Sequence, residues 1–69
     1  MIEIYTRDIN GKRNNITFSS WDDVYSYINT NIDDLEEEEI LLITYDNMCI
    51  YSQLGNTFID WEDVIGFFA

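Results

Sequence analysis

The chain has 69 residues, of which 46% are hydrophobic and 16% aromatic, a composition that favours one small folded domain and argues against a disordered chain. Fourteen acidic residues face three basic residues and no histidine, so the formal net charge is −11. A charge of this sign repels nucleic-acid phosphates and anionic lipids, which argues against direct binding to DNA, RNA or a membrane surface.

The first 18 residues predict a β-hairpin. Residues 2–6 and 12–18 have strand composition, and Asn10-Gly11 between them is a strong turn signal. A two-residue loop there would leave Ile4 on the opposite face of the hairpin from Ile16. A longer loop or a bulge would bring both onto the same face.

A helix is predicted directly after this hairpin. Ser20 is its expected N-cap, with Asp23 at the N3 position as in a capping box, and Asp22 also suits the positive end of the helix dipole. Apolar residues at helical spacing predict that the helix covers residues 21–29. This stripe consists of Trp21, Val24, Tyr25 and Ile28.

The connection over residues 30–39 carries the densest charge in the chain. Six of the seven residues that begin at Asp33 are acidic. A solvated linker is the ordinary interpretation of such a run, and one short helical turn pinned by Ile32 and Leu35 would fit it. Helix-start chemistry does not explain the run, so it is the best candidate for a functional surface. Its acids are Asp33, Asp34, Glu36, Glu37, Glu38 and Glu39.

Residues 40–45 and 48–52 predict a second hairpin that turns at Asp46-Asn47. Regular alternation gives each face of this hairpin an apolar set. One set is Leu41, Ile43, Tyr45, Met48 and Ile50, and the other is Leu42, Thr44, Cys49 and Tyr51. We expect the second set to face solvent, where so apolar a surface is typical of a protein interface.

The second helix is predicted to begin after Asp60, with Asp63 at N3. Its stripe is Trp61, Val64, Ile65 and Phe68. Glu62 and Asp63, like Asp22 and Asp23 in the first helix, have helix-start stabilisation as their ordinary interpretation. Two additional rings, Tyr27 and Phe67, extend the apolar surface of the helices.

The chain contains an internal duplication. Residues 17–28 return as residues 57–68, with Thr, Phe, Trp, Asp and Val identical. The repeats comprise residues 1–30 and 39–69, joined by the acidic linker 31–38. Neither repeat could bury its Trp stripe alone, so together they predict an α+β domain of order ββαββα: a four-stranded antiparallel sheet with two helices on one face.

The residue types for most catalytic chemistry are missing. Without histidine there is no Ser-His or Cys-His pair, and the three glycines are too scattered for a phosphate loop. The carboxylate pairs form no calcium-loop pattern, and we expect Cys49 to be a small core residue. The sequence predicts a non-enzyme with no catalytic residue, cofactor or metal.

The cellular context follows from the same features. A single cysteine cannot form an internal disulfide, which favours a reducing cytoplasm. The sequence has no signal-peptide pattern and no apolar run of membrane-spanning length.

The charge approaches that of nucleic acid. A domain of this size spans on the order of 30 Å, and duplex DNA of that length carries roughly 18 charges. In size, charge and α+β character the whole chain resembles the small acidic phage and mobile-element proteins that act as nucleic-acid mimics, the anti-CRISPR proteins foremost. The resemblance implies an inhibitor that blocks the basic channel of a Cas effector or restriction enzyme.

On this hypothesis the acids of the linker replace phosphates, supported by the acids at the two helix starts: Asp22, Asp23, Asp60, Glu62 and Asp63. The alternative is an interaction module, monomeric or a small homodimer, that uses the apolar sheet face. A carboxylate enzyme or calcium binder is the least favoured hypothesis.

Overall fold

The protein is described from a computed structural model that covers residues 1–35, 37–55 and 58–68. The side chains of Ile32, Phe67 and Phe68, for which the sequence predicts packing or surface roles, lie outside the described part. So does Glu36 of the predicted functional surface.

The architecture is α+β, as the sequence predicts. The elements in chain order are β1 (Ile2–Arg7), β2 (Arg13–Phe18), α1 (Trp21–Leu35), β3 (Glu39–Tyr45), β4 (Met48–Ser52) and α2 (Trp61–Phe68). The strands form one antiparallel sheet in the order β2-β1-β3-β4, with the helices on one face. The predicted order ββαββα is confirmed.

The first hairpin uses the longer loop. Ile4 pairs directly with Ile16, so the two residues share a face without any bulge. The loop closes where the amide of Asp8 donates to the carbonyl of Lys12 at 2.9 Å, and Gly11 within it has φ +84°. The two-residue alternative is therefore wrong. In the second hairpin the predicted two-residue turn is present, with both Asp46 and Asn47 at positive φ.

Two register shifts decide which residues of the second hairpin reach the core. Leu41 has no partner on β1, and Ile50 has none on β3. The second shift pairs Tyr51 with Ile43, a fully buried residue, and packs Tyr51 against the core. The prediction that Tyr51 faces solvent is wrong, because a single extra residue reverses the alternation.

The first helix is longer than predicted and bends within its last turns. It continues past residue 29 to Leu35, which is buried. Asn31 leaves the helical conformation (φ −115°, ψ 18°), and its side-chain amide donates to the carbonyl of Tyr27 at 2.9 Å. In a regular helix the carbonyl of Tyr27 would accept the backbone amide of Asn31, but here the Asn31 side chain donates to it. Side-chain hydrogen bonds of this kind are a known cause of helix bending.

The two repeats use their shared aromatic residues differently. In the first, Phe18 is buried and Trp21 is only partly buried; in the second, Trp61 is 1% exposed and Phe58 is 59% exposed. β4 ends at Ser52, so Phe58 follows the sheet instead of belonging to it. The two repeats therefore bury different members of the shared Phe–Trp pair.

One apolar core lies between the sheet and the helices. It consists of Ile2, Ile4, Phe18, Val24, Ile28, Leu35, Ile40, Ile43, Trp61 and Val64. Within the described residues, neither helix has the length and apolar character needed to cross a bilayer.

Candidate functional site

The start of α2 lies beside the connection between α1 and β3 and the first residues of β3. The indole Nε1 of Trp61 donates to Oε2 of Glu38 at 2.9 Å, and the amide of Ile40 donates to the carbonyl of Ile59, also at 2.9 Å. These contacts gather acids from two helices and the connection between α1 and β3. We call this set the acidic junction; its described members are Asp33, Asp34, Glu37, Glu38, Glu39, Asp60, Glu62 and Asp63.

Half of the acidic junction supports the fold. Asp60 and Asp63 form a reciprocal capping box, in which each side chain accepts the other's amide at 3.1 Å. Glu38 accepts the hydrogen bond of the buried Trp61. These acids are therefore partly buried and already hydrogen-bonded.

Glu39 is the most strongly engaged acid of the junction. It accepts a hydrogen bond from the amide of Gln53 at 2.9 Å and forms an ion pair with Arg7 of the neighbouring strand. The hydrogen bond from Gln53 and the interactions with Arg7 hold the pKa of Glu39 below its ordinary value, against the opposing effect of desolvation. Glu39 thus connects β1, β3 and the segment after β4.

The other half of the junction is available to a partner. Asp33, Asp34, Glu37 and Glu62 are exposed and form no hydrogen bond or ion pair with any described residue. Because no such bond fixes these carboxylates, they can accept hydrogen bonds from an approaching cation. They come from three segments that only the fold brings together.

Negative charges from both halves of the junction act on Tyr27. Its ring lies between Phe18 and Trp61, with centroids 5.4 Å from each. Burial, followed by the negative charges of Glu38 and Asp34, raises the pKa of Tyr27 above its ordinary value. The negative charge of the junction therefore acts on a partly buried ring that packs against the core, whereas the sequence suggests that Tyr27 extends the exposed apolar surface.

Asp22 and Asp23 do not belong to this group. Both are exposed at the start of α1, and Asp23 donates its amide to Oγ of the N-cap Ser20 at 3.3 Å. Eleven helix positions separate Asp22 from Asp33, roughly 16 Å along a straight helix. The predicted set of phosphate-mimicking acids is therefore split between two ends of the domain.

The start of α1 carries a feature that the sequence does not single out. The ring of Trp21 stacks on that of Tyr45 at 6.2 Å and an interplanar angle of 4°. Tyr45 pairs across the second hairpin with Met48, and Met1 lies beside the same turn. We call Met1, Trp21, Tyr45 and Met48 the aromatic end. The alternation in the second hairpin places Tyr45 and Met48 on one face, but not the stack with Trp21.

Cys49 and the acidic side chains are the remaining reactive groups among the described residues. Cys49 is exposed, as its place in the second apolar set of the hairpin predicts and contrary to the core position expected from its residue type, and its Sγ lies 3.4 Å from the carbonyl of Tyr51. In the described part of the chain, no three acidic or cysteine side chains converge on a point that could hold a metal ion. The acids spread over a surface instead.

Comparison with known proteins adds no assignment. No protein-family model, no curated protein and no solved structure matches this chain.

Proposed function

We propose that the protein is an inhibitor of the anti-CRISPR or DNA-mimic type. It binds the basic DNA- or RNA-binding channel of a CRISPR effector, a restriction enzyme or another nucleic-acid enzyme and blocks access to it. It acts as a non-enzymatic protein in the cytoplasm, where the single thiol stays reduced.

The exposed half of the acidic junction carries this proposal. Asp33, Asp34, Glu37 and Glu62 have no described role in holding the fold, and they lie in or next to the segments that the contact of Trp61 with Glu38 brings together. Exposed like charges in proximity destabilise the folded chain, so their arrangement is best explained by a cationic partner. Lysine and arginine side chains that bind phosphate oxygens can bind carboxylate oxygens in the same way.

The dimensions of the domain fit the same idea. Its extents are 28 × 26 × 20 Å. The longest extent is close to the length of about 30 Å over which the charge of the chain was compared with that of duplex DNA. The domain is therefore of a size that can occupy a channel that admits a duplex segment of similar length. The charge of −11 predicts fast association that weakens with salt.

A competition experiment tests the proposal. Purified CRISPR effectors and restriction enzymes are loaded with fluorescent nucleic acid, and its displacement is followed by anisotropy as the protein is added. Asp33→Lys with Asp34→Lys should weaken displacement by about tenfold, because each lost pair contributes about 0.5–1 kcal/mol and the new charges repel the channel.

The same helix offers a matched control. Asp22→Lys with Asp23→Lys makes an equal charge change in two adjacent, exposed aspartates at the other end of α1. Circular dichroism first establishes that both variants fold. A larger loss at Asp33 and Asp34 supports the junction as the site. Equal losses mean that only net charge matters, and a target that binds the protein and nucleic acid together contradicts occlusion.

The interaction module remains the second candidate, with less support. Leu42, Thr44 and Cys49 occupy the sheet face away from the helices, but Tyr51 does not. The same face carries charged residues, because Glu3 pairs with Thr44. A dimer in sedimentation that persists at high salt and dissociates on Leu42→Ser would favour this candidate.

A further inference from the structure

The aromatic end is an exposed apolar surface apart from the acidic junction. Met1 is 65% exposed and Met48 is 70% exposed, and Tyr45 between them is 43% exposed. The ring of Trp21 stacks on one face of the Tyr45 ring and holds it in place, so the patch exists before a partner binds. Methionine and aromatic side chains together are typical of surfaces that accept apolar side chains of a partner.

The charges around this patch are negative. Asp22 and Asp23 follow Trp21 at the start of α1 and are exposed. Asp46, in the turn between Tyr45 and Met48, is paired with the amino group of Met1 at 2.6 Å.

Every lysine and arginine of the chain lies elsewhere. Arg7 and Arg13 are cross-strand partners at the far end of β1, and Lys12 adjoins them. That end is roughly 17 Å from Ile2, the residue beside Tyr45, for five steps along a strand. The exposed carboxylates of Asp22 and Asp23 therefore attract cations without competition from the lysine and arginine side chains of the chain.

This charge pattern selects among the possible occupants. Anionic lipid and nucleic acid would meet Asp22 and Asp23 and be repelled. A second copy in a twofold dimer would place the same two aspartates near their counterparts around an apolar centre, with a charge of −11 on each partner. A basic segment with apolar side chains satisfies both the patch and its rim.

We propose that the aromatic end binds a basic segment of a partner protein that also carries apolar side chains. Its apolar side chains pack on Met48 and Tyr45, and its lysine or arginine side chains reach Asp22 and Asp23. An arginine can in addition lie over the exposed Tyr45 ring. This contact does not depend on the acidic junction.

The probe for this site is a short amphipathic peptide of leucine and lysine, with a leucine–glutamate peptide of the same pattern as its counterpart. Binding is measured by anisotropy at two salt concentrations. Met48→Ser should weaken binding of the basic peptide by about tenfold, the effect of losing one buried methionine contact. Ile9→Ser is the matched control, because Ile9 is 71% exposed in the first hairpin loop, and it should leave binding unchanged.

Amide and indole chemical shifts locate the peptide. The largest changes are expected at Trp21, Tyr45 and Met48, and not at Asp33 or Asp34. The proposal is overturned if the two variants bind equally, if the leucine–glutamate peptide binds as tightly, or if the largest changes map to the acidic junction. Self-association that Met48→Ser abolishes also overturns it, since the occupant is then a second copy.

Discussion

Ile4 and Ile43 face each other across the central pair of strands, and both are fully buried. They are also equivalent positions of the two repeats when the strands are aligned 39 residues apart, one residue fewer than the 40-residue offset between residues 17–28 and 57–68. When duplicated strands pair antiparallel about a twofold axis, one residue must meet its own counterpart. The pseudo-twofold axis therefore passes between Ile4 and Ile43, and the strand order β2-β1-β3-β4 is symmetric about it.

The repeated phenylalanines should differ sharply in their effect on stability. Phe18→Ala removes a buried ring and should cost about 3–5 kcal/mol, most of the stability of a domain this small. Phe58→Ala removes a largely exposed ring and should change the free energy of unfolding by less than about 0.5 kcal/mol. Urea denaturation measures both. Similar losses would contradict the asymmetry of the repeats.

Two glycines should respond to alanine with opposite signs. Gly66 lies within α2, and a Cβ there meets no atom within 4 Å, so Gly66→Ala should stabilise by about 0.5–1 kcal/mol. Gly11 has equally open space but φ +84°, so Gly11→Ala should destabilise by about 1–2 kcal/mol. Thermal unfolding of the two variants provides the comparison, and changes of the same sign would contradict these backbone assignments.

Glu39 should contribute to unfolding at low pH. Its pKa is lowered in the folded protein, first by the hydrogen bond from Gln53 and then by Arg7. Its stabilising effect is therefore present above the ordinary carboxylate pKa of about 4.3 and is lost as the pH falls through the lower folded value. Gln53→Ala should make the acid limb of stability against pH shallower.

The control for this prediction is Glu37→Gln, which removes an exposed carboxylate that forms no hydrogen bond within the described residues. The free energy of unfolding in urea is compared across the acid range for each variant. An acid limb that Gln53→Ala leaves as steep as in the unmodified protein would contradict the role of Glu39.

Tyr27 should set part of the alkaline limit of stability. Burial and the charges of Glu38 and Asp34 raise its pKa. The neutral phenol therefore contributes stability below the ordinary tyrosine pKa of about 10, and this contribution is lost as the pH rises through the higher folded value. Asp34→Asn should lower the pKa of Tyr27.

Phenolate absorbance follows the titration of Tyr27, and Tyr27→Phe identifies its share of the signal. The expected result is an earlier titration in Asp34→Asn than in the unmodified protein. An unchanged curve would mean that the field of the acidic junction does not reach the ring.

Most of the helices, strands and turns could be predicted from residues that are neighbours in the sequence. The Asp46-Asn47 turn and the capping box of Asp60 and Asp63 depend on neighbours in the chain, and both are present as predicted. The bend at Asn31 could not be read in this way, because asparagine is compatible with several helix positions and only the bond to Tyr27 selects this one.

The candidate surface was only partly accessible to sequence reasoning. The acidic run after Leu35 can be recognised from the sequence by its density of glutamates. Glu62 can be recognised only as a residue that stabilises a helix start. The contact of Trp61 with Glu38 joins them, across 23 positions of the chain. Likewise, the ring of Trp21 stacks on that of Tyr45. The two residues lie in different elements, so neither helix nor strand periodicity predicts their contact.

By itself the sequence determined the duplication, the α+β order, the strong negative charge and both helix starts, because each depends on composition or on residues a few positions apart. Tertiary structure decided which member of each repeated Phe–Trp pair is buried, since Phe18 lies within β2 whereas Phe58 follows the end of β4 at Ser52. It also decided that the acids form two separate surfaces, because α1 continues past the predicted end and holds Asp22 and Asp33 apart.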